Sequence, residues 1–237
     1  KEERAKTKCE ATVNVELNLM KSLYSKLIAW NLAEKNPVKQ VKLFVLHNAN
    51  ERFLSDVEVA ALLAVSNPRL KIFITVAVNT GLRRGELEKL KWSDCDFKSG
   101  LITVRSEYAK NAETRSIPMN SDVRDALGKL PRSINREDCV FGKTAGQVTP
   151  DFRREFEVAC KNAKITLPKG TSIHVLRHTF ASHMAMKGVN LFGLQRLLGH
   201  KTLAMTSRYS HLTEGYQREA VEGLFKSDTA IALGKTS

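Results

Sequence analysis

The sequence predicts a mainly α-helical fold with one small antiparallel β-sheet, an α+β arrangement. Along most of the 237 residues, apolar side chains recur at every third or fourth position, which is the spacing of one helix face. Two short runs, 101–105 and 114–119, are rich in β-branched residues and flank a loop at 108–113, as in a hairpin. Hydrophobic residues make up 42% of the chain, which is enough to bury a core and argues against wholesale disorder.

The N-terminal segment is expected to be a separate helical unit, with a domain boundary near residue 50. Its apolar residues predict a helix over Val13 to Ala33 that ends before Asn36-Pro37, and Asn48-Ala49-Asn50 is the candidate linker. One long helix and a short polar stretch cannot enclose a core of their own. Residues 1–50 are therefore expected to be the C-terminal part of a larger helical domain, followed by a second domain over 51–237.

In the second domain, helix start and stop signals place helices on both sides of the hairpin. Ser55 and Glu58 have the spacing of a capping box, so a helix is expected to start there and to stop at Asn67-Pro68. The last predicted helix has an apolar face. The remaining helices are predicted over residues 70–79, 84–90, 121–129, 150–164, 172–187, 190–198, 202–209 and 215–225.

The charge balance points to a polyanionic partner. The chain has 38 Lys+Arg against 25 Asp+Glu, a formal net charge of +13, and phosphate neutralisation supplies most non-specific affinity for DNA. Nucleic acid is the first candidate partner. The alternative is that the chain is simply a soluble basic protein. The chain has no run of about 18 apolar residues and no apolar leader after Lys1, so neither a membrane span nor a signal peptide is expected. A cytoplasmic, nucleoid-associated location follows as the expectation.

The densest cluster of chemically active side chains is His174, Arg177 and His178. On a helix these three residues share one face, where their mutual repulsion is costly unless an anion lies against them. A surface helix with scattered basic groups is the alternative. A zinc site on the i, i+4 histidine pair is disfavoured, because Val175 stands where the HExxH motif has its glutamate. The four cysteines lie far apart without a CxxC pair, which also argues against a zinc ribbon.

A second cluster follows a glycine that closes a helix. Gly199 and His200 place an imidazole at a helix junction, and helix N-termini are favourable positions for phosphate. Tyr209 follows, flanked by Arg208 and Ser210. A lone tyrosine is more commonly a core or interface residue, which is the alternative reading here.

A third cluster lies in the turn between two predicted helices. Arg83 and Arg84 are presented there, and Glu86 is placed to hold one of them or to take part in the site. Arginine suits such a position because its planar guanidinium can clamp phosphate oxygens. The alternative is an ordinary salt bridge in a first helical turn. Lys110 lies in the hairpin loop, where a solvated lysine is the alternative.

Taken together, these clusters supply the groups for phosphoryl transfer without a metal. A tyrosine hydroxyl could attack a phosphodiester while arginines stabilise the charged transition state. The chain shows no carboxylate cluster of the kind that holds Mg²⁺. We therefore expect neither a metal nor a cofactor.

With these motifs in place, the chain resembles the tyrosine recombinases of the phage integrase family. The resemblance rests on the order and spacing of the motifs, and it covers about residues 53–215 as a catalytic domain. Residues 10–45 resemble the end of the family's helical core-binding domain. The matching segments are Thr80 to Leu87, Lys110 before Arg115, His174 to His178, Leu198-Gly199-His200, and Tyr209.

The resemblance implies a role for each matched residue. Tyr209 would be the nucleophile that forms a 3′-phosphotyrosyl bond, and Lys110 the general acid that protonates the departing 5′ oxygen. Glu86 would support the set. The clamp on the non-bridging oxygens would be Arg83 and Arg177. The further donors to the phosphate would be His174 and His200, of which His174 could also take part in proton transfer with the nucleophile.

The resemblance also implies double-stranded DNA as the partner. In the family, a tetramer acts on paired DNA sites, and a monomer is the expected state without DNA. Two alternatives stay open, a type IB topoisomerase-like strand transferase and a catalytically inactive DNA-binding protein of the same fold. The second imidazole and its Leu-Gly-His setting favour the recombinase. The candidate DNA contacts are Arg84, Arg115, Lys143, Arg153, Arg154, Lys201 and Arg208.

Overall fold

The computed structural model describes residues 1–45, 52–107, 113–142, 151–168 and 171–213, together with positions 216, 221 and 222. The chain divides into two compact units, Lys1–Glu51 and Arg52–Ser237. The assignment of the first unit to a core-binding domain stays a prediction. Among the described residues, no helix combines the length and the apolar character needed to cross a bilayer.

The first unit contains helices α1 (Glu2–Ala5) and α2 (Glu10–Ala29). Helix α2 ends four residues earlier than expected, because Asn31 adopts a left-handed conformation with φ of 56° that stops the helical path. The side chain of Asn14 donates to the carbonyl of Phe44 at 2.9 Å and accepts from its amide at 2.8 Å. This pair of hydrogen bonds fixes the segment after α2 along the helix.

The second unit is mainly helical with one three-stranded antiparallel sheet, which confirms the predicted fold class. Its elements, in chain order, are α3 (Asp56–Val65), α4 (Pro68–Thr80), α5 (Arg84–Glu88), β1 (Cys95–Asp96), β2 (Leu101–Val104), β3 (Arg115–Pro118), α6 (Ser121–Gly128), α7 (Phe152–Asn162), α8 (Val175–Met186) and α9 (Leu191–Leu198). Two 3₁₀ segments, Leu203–Met205 and Ser207–Thr213, follow α9.

Side-chain caps explain where most of these helices start. Ser55 and Glu58 form the predicted capping box at α3. The side chains of Asn67, Asn120 and Asn190 accept from backbone amides at the starts of α4, α6 and α9. Each such cap contributes about 1 kcal/mol to stability, because it satisfies an amide that the helix leaves without a partner.

The core of the second unit is built around α4, which packs against α6, α7 and α8. The ring of Phe73 stacks on Phe152 at a centroid distance of 4.3 Å and meets Phe141 edge-on at 5.2 Å. In the sheet, Ile102 pairs with Ile117, and both are fully buried. The packing of α4 against α8 holds the ends of both helices in fixed positions, and these ends carry the candidate site.

The structure differs from the sequence-based expectations in one predicted helix and one strand, and it leaves two further expectations untested. The sequence predicted one helix over 202–209, and the structure has two 3₁₀ segments there. Strand β1 was missed, because two residues are too few to show an alternating pattern. The helix predicted over 215–225 lies mostly outside the described residues, as does the hairpin loop at 108–112.

Candidate active site

Four segments of the second unit bring the predicted catalytic residues together. These segments are the turn between α4 and α5, the start of α8, the C-terminal end of α9 and the second 3₁₀ segment. They carry, in that order, Arg83 with Glu86, the histidine-arginine cluster, His200 and Tyr209. The contacts described next join these segments to one another.

Three arginines donate to three successive carbonyl oxygens at the end of α9. The Nε atom of Arg115 donates to Leu197 at 3.0 Å, Nη2 of Arg177 to Leu198 at 2.6 Å, and Nη2 of Arg83 to Gly199 at 2.8 Å. The last carbonyls of a helix have no partner within it and carry partial negative charge. The end of α9 therefore gathers three positive charges in a fixed order.

Arg177 is the most deeply placed of these arginines, with 4% of its surface exposed. Its Nη1 atom donates to the carbonyl of Gly81 at 2.7 Å, so one guanidinium joins the ends of α4 and α9. Gly81 has φ of 65°, and a Cβ there would lie 2.3 Å from the ring of Phe180. Burial, followed by the charge of Arg83, lowers the pKa of Arg177 to about 9, which leaves it protonated at neutral pH.

Glu86 is the buried anion that holds two of the arginines. Its carboxylate is 2% exposed and accepts from Nη1 of Arg83 at 2.8 Å and from Nη2 of Arg115 at 2.6 Å. It also accepts from the amide of Arg83 at 2.8 Å, which caps α5. Burial alone would raise the pKa of Glu86, but Arg115 and then Arg83 outweigh it and keep that pKa below its ordinary value.

Arg115, one of the candidate DNA contacts, is directed to protein partners in the structure. Its side chain is 10% exposed, and its donors are directed to Glu86 and to the carbonyl of Leu197. Arg115 therefore links Glu86 to the end of α9, and its contact with DNA stays a prediction. Gly199 makes room for it, because a Cβ at this position would lie 2.8 Å from Nη1 of Arg115.

His200 follows the left-handed turn at Gly199, as the Gly-His pair predicts. Its Nδ1 atom shares a hydrogen bond of 2.8 Å with the hydroxyl of the fully buried Thr206, which fixes the orientation of the ring. Partial burial, followed by the charges of Arg177 and Arg83, lowers the pKa of His200 to about 4. The imidazole is therefore neutral at physiological pH.

Tyr209 is buried beside the start of α8, with 2% of its surface exposed. Its hydroxyl lies 2.7 Å from Nδ1 of His178, within hydrogen-bonding distance. The ring of His174, in turn, meets the ring of His178 edge-on at a centroid distance of 5.0 Å. Among the described residues, the histidine that contacts the Tyr209 hydroxyl is thus His178, whereas the expectation placed His174 in proton transfer with this tyrosine.

The other candidate residues divide into three groups. Lys110 and Lys143 lie outside the described residues. Arg84 and Arg153 are ion-paired to glutamates one helical turn further on, at 2.5 and 3.0 Å. The remaining candidates are exposed on the surface, and they are Arg154, Lys201 and Arg208.

A groove of about 940 Å³ opens beside the site, between β3 and α9. Arg83, Arg115, His200 and Lys201 line it, together with Arg196, which the sequence did not single out. Its position in the last turn of α9, just before the Gly199-His200 pair, was the signal that could have found Arg196. No group of three or more metal-binding side chains occurs within the described residues.

Comparison with known proteins identifies the family. Residues 52–215 match the model of the phage integrase family. The chain belongs to the phage integrase family, as the motifs predict.

Individual relatives agree with this assignment. The chain is 32% identical to the integrase of Haemophilus phage HP1 over 221 residues, which cover 90% of this chain and 59% of that protein. It therefore spans about three fifths of the length of that curated relative. The solved catalytic domain of the HP1 integrase, 34% identical, has a TM-score of 0.57 and covers 72% of this chain and 93% of that domain. The Tn1549 transposon integrase, solved with transposon right end DNA, is 25% identical with a TM-score of 0.75 and covers 93% of this chain and 82% of that one.

Proposed function

We propose that this chain is the catalytic part of a site-specific DNA recombinase that cuts and rejoins DNA through a phosphotyrosyl intermediate. The observation that carries the proposal is the pair of guanidinium groups of Arg83 and Arg177. They are held side by side because they donate to successive carbonyls, and Glu86 holds the first of them in place. Two fixed, adjacent cations can clamp the non-bridging oxygens of one phosphate.

The chemistry balances without a metal or ATP. The oxygen of Tyr209 forms a bond to phosphorus, the bond to the 5′ oxygen breaks, and the 5′ end leaves as a hydroxyl after it receives a proton. We assign that proton to Lys110 on the basis of the family motif. The new phosphodiester retains the energy of the broken bond, so a 5′-hydroxyl from a second strand can attack it and rejoin the DNA.

Several observations support duplex DNA as the partner. The chain carries a net charge of +13, and the groove beside Arg83 is lined with further basic residues. The Tn1549 integrase of similar fold was solved in complex with DNA. We further propose that residues 1–50 form the end of a core-binding domain. We propose that the protein is a monomer without DNA and that four protomers assemble on paired DNA sites. Its proposed location is the cytoplasm, at the nucleoid.

Covalent trapping tests the proposal. The chain and its Tyr209→Phe variant would be incubated, without metal, with nicked duplexes of randomised sequence and resolved on a denaturing gel. A shifted band with the unaltered chain alone is expected, and sequencing of the trapped DNA would give the site. An equal band with Tyr209→Phe would refute Tyr209 as the nucleophile, and relaxation of plasmids without strand exchange would favour the topoisomerase-like alternative.

A further inference from the structure

The contact between Tyr209 and His178 has a consequence for the chemistry of the nucleophile. A phenol is a weak nucleophile until its proton is removed, so attack on phosphorus requires a group that can receive this proton. Nδ1 of His178 lies 2.7 Å from the Tyr209 oxygen, within the range for direct transfer. We propose that His178 is the general base that accepts the phenolic proton of Tyr209. This inference rests on the proposed function.

The surroundings of His178 keep its imidazole neutral before the reaction. A base must be neutral before the reaction, and burial, followed by the charges of Arg208 and Arg177, lowers the pKa of His178 to about 4. These arginines face the ring from the second 3₁₀ segment and from α8, and His174 packs against its edge. The same positive surroundings stabilise the phenolate that forms as the proton leaves.

The other two imidazoles of the site are less suitable as the base. Nδ1 of His200 is engaged with the hydroxyl of Thr206 at 2.8 Å. The ring of His174 makes no hydrogen bond with any residue that the structure describes, and its contact is with His178. His174 lies at the exposed start of α8, where it is available to a DNA phosphate. In this proposal His174 contacts the phosphate, and His178 accepts the proton of the nucleophile.

The proton balance of the step is complete. The Tyr209 O–H bond breaks and its proton passes to Nδ1 of His178 as the oxygen–phosphorus bond forms. The phosphorus–oxygen bond to the 5′ carbon breaks, and the 5′ oxygen takes a different proton, which we assign to Lys110. In the rejoining step, protonated His178 returns its proton to the Tyr209 oxygen as this oxygen leaves phosphorus.

The test compares His178→Gln and His178→Ala with the unaltered chain in single-turnover formation of the covalent adduct. Glutamine can still accept a hydrogen bond but cannot take up a proton. We expect both variants to slow adduct formation by about 10²–10⁴-fold, the usual contribution of a general base. Their rate should rise about tenfold per pH unit from about pH 6 to pH 9, because hydroxide must then ionise the tyrosine. Added imidazole should speed His178→Ala, whose side chain leaves space for it.

Two further arms separate this role from others. A substrate with sulfur in place of the departing 5′ oxygen needs no general acid, so it should rescue Lys110→Ala and leave the His178 variants slow. His183→Gln is the matched control, since it removes a half-buried imidazole on the same helix that bonds the Leu54 carbonyl instead of Tyr209. Its rate should stay within a few-fold of the unaltered chain.

The outcomes are distinct. A His178→Gln rate and pH profile equal to those of the unaltered chain would overturn the inference and leave His178 as a positioning residue. Rescue of the His178 variants by the sulfur substrate would also overturn it, since His178 would then serve the leaving group. Adduct formation by Tyr209→Phe would instead refute the proposed function. If Tyr209→Phe forms no adduct while His178→Gln forms it at the rate of the unaltered chain, only the present inference is refuted.

Discussion

Replacing Arg115 with methionine tests whether this residue stabilises the site or contacts DNA. The substitution leaves the carboxylate of Glu86, 2% exposed, with Arg83 as its remaining charged partner among those described. Breaking a buried ion pair by removing one member costs about 3–5 kcal/mol. For a domain of this size about 2–4 °C of Tm is lost per kcal/mol, so Tm should fall by about 6–20 °C at pH 7.

The pH dependence gives this prediction a sign. In the unaltered protein the pKa of Glu86 is lowered, so its stabilising contribution is present above the unfolded value of about 4.3 and is lost as the pH falls through the native pKa. Without Arg115, we expect the native pKa of Glu86 to rise, because burial raises it and the largest opposing cause is removed. The variant is then destabilised at neutral pH, and this penalty is relieved as acid protonates Glu86. The difference in free energy of unfolding between the two proteins should therefore shrink towards acid pH.

Urea unfolding at several pH values and DNA binding at several salt concentrations measure the two effects. Arg115→Lys keeps the charge and should lose less stability, and Glu86→Gln combined with Arg115→Met should recover part of the loss. If Arg115 contacted a phosphate, the substitution would instead leave Tm unchanged. The slope of the logarithm of the binding constant against the logarithm of salt concentration would become shallower by about one. That second pattern would refute the assignment of Arg115 as a positioning residue.

Further predictions concern the nucleophile, the α9 turn and the histidines. Tyr209→Phe should abolish covalent attachment and leave DNA affinity within a few-fold, as read by trapping and gel shift. EDTA should leave cleavage unchanged, and a strict Mg²⁺ requirement for cleavage itself would contradict the metal-free mechanism. Gly199→Ala should lower the free energy of unfolding by at least about 1 kcal/mol, because φ of 62° strains an L-residue, and an unchanged urea midpoint would contradict this. His174, His178 and His200 have native pKa values of about 4, below the unfolded value of about 6.5, so their contribution to stability should be complete above pH 6.5 and be lost as the pH falls towards 4. Urea unfolding across that range measures it, and a flat profile would contradict the lowered pKa values.

The helices were predictable where a local side chain determines their start. Ser55 with Glu58 forms the capping box that its spacing predicted, and Asn67 before Pro68 caps α4. These signals act within one helical turn, so they can be read from a few adjacent residues. The 3₁₀ segments around Tyr209 could not be read in this way. Their conformation depends on packing against α8 and on the contact between Thr206 and His200.

The sequence predicted most of the residues of the site, but it did not predict which of them contact each other. The order of motifs indicated Arg83, Arg177, His200 and Tyr209, and the structure brings these residues together. The role of Arg115 could not be read from its neighbours in the sequence, because its partners, Glu86 and the Leu197 carbonyl, lie 29 and 82 residues away. His178 was visible in the cluster, but only the folded chain shows which histidine meets the tyrosine.

The three carbonyls at the end of α9 also determine which kinds of mutation this protein can tolerate. A carbonyl oxygen is present whatever the side chain, so the acceptors for Arg115, Arg177 and Arg83 survive most substitutions in α9. Their direction depends instead on the number of residues between the Asn190 cap and Gly199. One inserted or deleted residue rotates the end of a helix by about 100° and would turn all three acceptors away from their arginines. The exposed positions of α9 can therefore vary in composition, whereas its length and its buried Leu194 and Leu198 are constrained.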